Sequence, residues 1–468
     1  MPIMFVGRDP ELERLQQAYE SERFECVVVY GRRRIGKTTL INRFLEDKQA
    51  IFYSAIEATI RGNMIALSGA ISAYRNKLGV DANAPVYPDF QSAVESVFAM
   101  ARTQRIVWVI DEYPFLAQAD RSVSSVLQHA IDRHKDDSKL MIILCGSSMS
   151  FMERQVLDYK SPLYGRRTES IRLLPFTFDD TREFTMDLTK EHSAVAYGLS
   201  AGVAQYLEWL DPTDDIPDMI ERKIISPSSN LFDEPYMLLQ REVRKPAEYN
   251  EMIRTIATGA SRMGEIASAS QMPTSQAQQY LTNMIDLGIL IKETPFGATS
   301  RSKTIYRVQD SFFRFWYRYI PRAMSAIQAR RLTPVTTMIM DDLPRFMGPV
   351  FEDISMQWLW GRGYDTLPYP ILQAGRWWGS DPKTRQQEEI DIIAVGDDPE
   401  SAIFCECKWR NAPVGETEYR TLQYRSQLLP YRDRSYVLFS KSGFTDNLKR
   451  LADSDGSIQL VAFDDMVD

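Results

Sequence analysis

Residues Gly31–Thr38 read GRRRIGKT, and the seven residues before them, Phe24–Tyr30, read FECVVVY. A short β-branched apolar run of this kind predicts a buried strand. The stretch that follows the loop, TTLINRFLED, has helical spacing. Strand, glycine-rich turn and helix therefore succeed one another, and the turn matches G-x-x-x-x-G-K-[ST] in full. The residue types suit the chemistry. Gly31 and Gly36 let the backbone curl so that its N–H groups face phosphate oxygens. Lys37 reaches the β- and γ-phosphates, and the Thr38 hydroxyl is placed for Mg²⁺. The helix that opens here adds its positive end to the anion site. The expected nucleotide cradle is Gly31, Arg32, Arg33, Arg34, Ile35, Gly36, Lys37, Thr38 and Thr39.

Two further apolar runs extend the pattern. Ile106–Glu112 reads IVWVIDE, a strand ending in two acids. In a nucleotide hydrolase Asp111 would hold the Mg²⁺ shell and Glu112 would orient the attacking water. The run KLMIILC from Lys139 ends in CGSSM, with Ser147 at its tip. Ser147 is either a sensor of the γ-phosphate or an ordinary turn serine. The segment LYGRRTE then offers Arg166 and Arg167. An arginine here can act as a finger, in cis or from a neighbouring subunit, or form a surface ion pair. Strands alternating with helices predict an α/β fold with a parallel sheet over residues 1–180.

The 468 residues carry a net charge of −8, with 44% apolar and 25% charged residues. That is an ordinary globular balance, which excludes a wholly disordered chain. The acidic total argues against general coating by nucleic acid but not against a local basic site. No apolar run approaches the ~18 residues of a membrane span, and the first residues lack the pattern of a secretory signal. The four cysteines (Cys26, Cys145, Cys405, Cys407) form no CxxC pair and lie in apolar runs. They are expected as buried free thiols in a cytoplasmic protein with no membrane partner.

The sequence resembles the archaeal-type AAA+/STAND-like P-loop ATPases. FVGRDPELERL, GRRRIGKT, VIDEYPFL and SPLYGRRTESIRLLPF look like that family's successive motifs. The resemblance implies ATP and Mg²⁺ as cofactors and places Gly7 and Arg8 near the adenine. It also implies a helical lid over residues 181–250, where GLSAGVAQYL departs from the family's Gly-x-Pro form at Gly202-Val203-Ala204. Oligomerisation stays open.

Residues 251–330 read as three helices and a hairpin, the order of a winged helix. Arg301 and Lys303 at its tip are candidate phosphate contacts, and Gln and Asn side chains on the helix Thr274–Leu287 can read base edges. That helix carries no Lys or Arg, so DNA contact and a purely structural link are both open. The helical stretch SFFRFWYRYI is expected to end at Pro321.

Near the C-terminus, IDIIAV carries Asp391, and IFCECKW carries Glu406 and Lys408 two apart on one strand face. Glu352, on a helical segment upstream, can complete an acid group. The alternatives are a Mg²⁺ site and an internal ion pair. The spacing D-x(14)-E-x-K resembles the PD-(D/E)xK nuclease superfamily, although Ile390 replaces the proline of its name. The resemblance implies a restriction-endonuclease-like α/β domain over residues 331–468. It implies metal ligands Glu352, Asp391 and Glu406, a catalytic Lys408 and an accessory Gln423. The combined expectation is an ATPase acting on DNA through a nuclease-like end. The alternatives are an ATP switch that only binds a partner and a DNA-binding regulator.

Overall fold

The computed structural model describes residues 5–77, 86–212, 215–298 and 304–467. The chain divides into two compact units. One comprises Met1–Pro175 with Val203–Gln205, and the other Phe176–Gly202 with Tyr206–Asp468. Among the described residues no helix is long and apolar enough to cross a membrane. All four cysteines are buried and free.

The first unit is built on five parallel strands: β1 (Glu25–Tyr30), β2 (Ala50–Ser54), β3 (Ile106–Asp111), β4 (Leu140–Gly146) and β5 (Glu169–Arg172). Their order across the sheet is β2-β3-β4-β1-β5. Alternation along each strand loads both faces. Cys26, Val28, Trp108, Ile110, Ile142 and Leu144 share one core with the helices Ile60–Lys77, Phe90–Met100 and Val123–His134. Val27, Val29, Val107, Val109, Met141 and Ile143 share the other with Leu15, Leu40, Ile41 and Phe44. A sheet buried on both faces needs such near-continuous apolar strands. The order matters for function, because β4 lies between the strand that feeds the glycine loop and the strand that carries the two acids. β2, with the sequence AIFYS, was not among the sequence-based strands.

In the second unit the helices Pro246–Ala257, Met263–Ala269 and Thr274–Asp286 precede an antiparallel hairpin, β6 (Leu290–Glu293) and β7 (Ile305–Val308). Elements thus follow in the expected order. Arg301 and Lys303 lie outside the described residues. The aromatic helix does not stop at Pro321 but runs from Ser311 to Gln328. An interior proline costs about 3 kcal/mol. Burial of Phe312, Phe313, Phe315, Tyr319 and Ile320 outweighs it, at about 1.5–3 kcal/mol per large apolar side chain. The next helix likewise runs through prolines. It spans Leu332–Trp360 and contains Pro344 and Pro349.

The C-terminal sheet has β8 (Gln373–Ser380), β9 (Gln387–Val395), β10 (Ser401–Lys408), β11 (Asp433–Ser440) and β12 (Ile458–Ala462), in the order β12-β11-β10-β9-β8. β8, β9 and β10 run antiparallel, and β10, β11 and β12 run parallel. This mixed sheet is compatible with the nuclease-like expectation. Sequence periodicity missed β8, β12 and the helix Asp446–Ser454. β8 reads QAGRWWGS, where glycines interrupt any alternation, and its pairing with β9 slips between Gly375 and Trp377.

Candidate functional site

The loop after β1 turns on left-handed backbone at Arg34 (φ 69°) and Gly36 (φ 95°). Gly36 requires that conformation, which an L side chain resists. At Gly31 the constraint is space, since an added Cβ would stand 2.6 Å from the Leu173 carbonyl oxygen. Lys37 is buried, and its ammonium donates to the carbonyls of Gly31 (2.8 Å) and Arg32 (3.0 Å). A positive charge is thereby held inside the curl of the loop. Thr38 and Thr39 are exposed at the start of the helix Lys37–Leu45, and Ile35 is buried beneath.

β3 delivers its acids to two different neighbours. The Thr38 hydroxyl donates to Asp111 Oδ2 at 3.3 Å. Glu112 is in the left-handed region (φ 50°), which turns its side chain away from that pair. The Ser147 hydroxyl, at the end of β4, donates to both Glu112 carboxylate oxygens at 2.9 Å. Asp111 and Ser147 are buried. The intervening position of β4 is what brings Ser147 to Glu112.

Behind the loop, Arg8 is buried, and its guanidinium donates to the carbonyls of Ile35 (3.3 Å) and Leu174 (2.8 Å). Gly7 beside it adopts φ 48°. Arg166 forms a bidentate pair with Asp132, at 3.0 and 2.9 Å. Arg167 lies over the Tyr164 ring, 5.6 Å from its centroid. Two contacts were not foreseen from the sequence. The Gln205 N–H donates to the Arg34 carbonyl at 3.2 Å, and the Ala204 Cβ lies nearest to where a Gly36 side chain would project. Both residues lie about 170 positions downstream, and only the departure at Gly202-Val203-Ala204 marked the segment.

A hydroxyl and a carboxylate 3.3 Å apart form the kind of hard oxygen pair that suits Mg²⁺. That ion keeps most of its shell as water and phosphate, so one or two protein oxygens are enough. The loop, its buried lysine and this pair fit a magnesium–nucleotide complex.

The second cluster joins the middle of β9 to the C-terminal end of β10. Asp391 Oδ2 accepts from the Cys407 N–H at 2.8 Å. Lys408 is in direct contact with Glu406 and 4.0 Å from Asp391. Glu352 pairs with Arg376 of β8 at 3.0 Å. Gln423 turns to Arg420 and Tyr419, while Arg425 lies 3.6 Å from Glu406. Burial pushes the Glu352 carboxyl up to about 8, with Arg376 working against it and Asp391 adding to it. Burial also raises Glu406, again with help from Asp391. Burial disfavours the Lys408 charge, but Glu406 and Asp391 overcome it and leave the ammonium above its usual value.

The expected three-acid group is brought together, with two of its members paired within the protein. The acids are close enough to repel one another, but two of the three have taken a cation of the protein itself. Among the described residues no group of three or more His, Cys, Asp or Glu side chains is arranged to hold a metal ion. As it stands, the cluster does not fit a divalent cation. Arg376 and Arg425 were missed by the sequence reading. One lies on the unrecognised β8, and the other is a helix arginine of ordinary appearance.

The family model for an "ATPase domain predominantly from Archaea" matches residues 5–211. A model for "Archaea bacterial proteins of unknown function" matches residues 316–421. The uncharacterized protein MJECL04 of Methanocaldococcus jannaschii is 32% identical over 446 residues, covering 94% of this chain and 96% of that protein. Among solved structures, the Walker-type ATPase PABY2304 of Pyrococcus abyssi aligns at 18% identity, over 67% of this chain and 96% of that one, with a TM-score of 0.49. The ORC2 protein of Aeropyrum pernix aligns at 14% identity, over 70% and 96%, with a TM-score of 0.44. The chain belongs to the same family as MJECL04, with an ATPase domain of the predominantly archaeal kind at its N-terminal end.

Proposed function

We propose that this protein hydrolyses ATP with Mg²⁺ at the loop Gly31–Thr39. The observation that carries the reading is the division of labour at the tip of β3, where Asp111 meets Thr38 and Glu112 meets Ser147. Lys37 and the loop N–H groups would hold the phosphates, and Thr38 and Asp111 would hold the cation. When bound, the magnesium–nucleotide complex supplies the scissile phosphate with part of its charge neutralised. Glu112 orients a water and takes its proton on a carboxylate oxygen. Ser147 keeps that carboxylate in place and offers a hydroxyl to the same region. Arg166 is engaged with Asp132, which leaves Arg167 as the arginine for charge stabilisation, in cis or in trans. Gly7 and Arg8 brace the loop beside the base. The test is ATP turnover set against nucleotide binding. Lys37→Ala should lose binding, and Glu112→Gln should keep binding and lose turnover. Undiminished turnover in Lys37→Ala would overturn the assignment.

A second reading concerns the C-terminal sheet, and the convergence of Asp391, Glu406 and Lys408 favours it. In this reading the ATPase cycle controls a nuclease-like end that acts on DNA. The cluster in its present state does not fit a divalent ion, so no metal-borne step is assigned to it. Cleavage assays on DNA with ATP and Mg²⁺, with Lys408→Ala as control, separate it from a binding-only end.

A further inference from the structure

The helix Ser311–Gln328 and the first half of the helix Leu332–Trp360 carry an excess of positive charge. Residues 311–347 hold six arginines and no lysine against two acids, Asp341 and Asp342, in a chain of net charge −8. The two helices are locked together by Phe346, whose ring packs against those of Phe315 and Tyr319.

Three of the arginines gather around Asp342. Arg318 donates to Asp342 Oδ2 through Nε at 2.7 Å and lies 2.6 Å from it at Nη2, and the buried Tyr319 hydroxyl donates to the same oxygen at 2.8 Å. Arg322 lies over the Tyr319 ring, 5.1 Å from its centroid. Arg345 stands one helical turn past Asp342. Burial works against the Asp342 charge, but the bonds from Tyr319 and Arg318 and the charges of Arg318 and Arg345 hold its carboxyl below the usual range. Asp342 therefore neutralises one of the three guanidinium groups and fixes its neighbours in place. Arg322 and Arg345 are exposed and form no ion pair among the described residues. Arg330 and Arg331, at the turn between the helices, are likewise exposed and unpaired. Arg330 is twelve positions beyond Arg318, about 18 Å at 1.5 Å per residue.

The residue types decide what such a surface takes. Arginine presents a planar fork of donors that matches phosphate oxygens. A protein partner would want an apolar centre, yet no large apolar side chain of residues 311–347 is exposed. A single strand would want exposed rings for its bases to stack on, and Phe312, Phe313, Phe315, Tyr317 and Tyr319 are all buried. A duplex wants neither, because its backbone offers regularly spaced charges at about 3.4 Å of axis per base pair on each strand. The charges on these helices span about five such steps.

We propose that Arg318, Arg322 and Arg345, continued by Arg330 and Arg331, form a docking surface for the phosphate backbone of duplex DNA. Asp342 and Tyr319 are positioning residues that hold the arginines ready. Docking here requires neither a metal nor cleavage by the C-terminal sheet.

The test is equilibrium binding of a labelled 30-base-pair duplex to the full chain, without metal or nucleotide, over a range of salt concentrations. Arg322→Gln with Arg345→Gln should weaken binding at least tenfold and lower the salt slope by about 1.8, at roughly 0.9 per phosphate contact. Arg330→Gln with Arg331→Gln should act in the same direction. Both variants should melt with the parent and keep its DNA-free ATP turnover. Single-stranded DNA of equal length and polyglutamate should compete poorly with the duplex. Unchanged affinity and slope in both variants would overturn the proposal, as would a parent that binds no duplex or prefers polyglutamate. Cleavage assays with Lys408→Ala test the second reading separately, because the arginine variants are read by binding alone.

Discussion

The Ser147 hydroxyl donates to both carboxylate oxygens of Glu112, at 2.9 Å from each. A hydrogen bond to a charged group is worth about 1.5–3 kcal/mol. Ser147→Ala should therefore lower kcat about tenfold or more while leaving nucleotide affinity within about twofold, at ~1.4 kcal/mol per factor of ten. Steady-state turnover alongside equilibrium binding of a fluorescent nucleotide checks both halves. An equal loss in both would reassign Ser147 to ground-state binding.

Glu112 and Lys37 should separate cleanly. Removing a general base typically costs about 10²–10⁴-fold in rate. Glu112→Gln should lose turnover on that scale and retain ATP, whereas Lys37→Ala should fail to retain it. Filter binding with labelled ATP measures retention directly.

Gly31 has no room for a methyl group against the Leu173 carbonyl. Forcing one in should cost about 1–3 kcal/mol, as overpacking does elsewhere. Gly31→Ala should lower the thermal midpoint and weaken nucleotide binding together. A variant with unchanged stability would mean that the loop yields more easily than its geometry implies.

Arg166 and Asp132 form an exposed pair, and such pairs contribute at most about 1 kcal/mol. Arg166→Ala should change stability little. A large loss of turnover in Arg167→Ala but not in Arg166→Ala would identify the acting arginine.

His192 is partly buried on the helix Lys190–Ser200, and its Nε2 has no hydrogen-bond partner. Burial depresses its pKa below the usual 6.5, with Asp215 opposing. The unfolded chain then binds more protons than the folded one just below that value. Stability attributable to His192 should be full above about pH 6.5 and fall as the pH drops beneath it. Chemical denaturation from pH 7.5 to 5 should show a shallower decline in His192→Gln than in the parent.

Much of the first unit was legible because its strands are continuous apolar runs, each ending in its own chemistry. FECVVVY feeds the glycine loop, and IVWVIDE ends in the acids that meet Thr38 and Ser147. The pairing of Ser147 with Glu112 was not legible. It depends on β4 lying beside β3, which is a matter of strand order rather than pattern. Asp391, Glu406 and Lys408 were readable as a group, because period two fixes which side chains share a strand face. Arg376 was hidden by the glycines that break the rhythm of β8. Pro321 misled in the opposite sense, as packing of the apolar helix face overrides the local breaker.

β8 is the outer strand of its sheet, and the backbone bond from Phe296 meets it at its one irregular point. Unprotected outer strands are templates for pairing with other chains. Phe296 therefore serves colloidal stability as well as geometry. Loss of the Phe296 contact would bare backbone donors and acceptors beside two tryptophans, Trp377 and Trp378. Self-association that grows with protein concentration would accompany that loss.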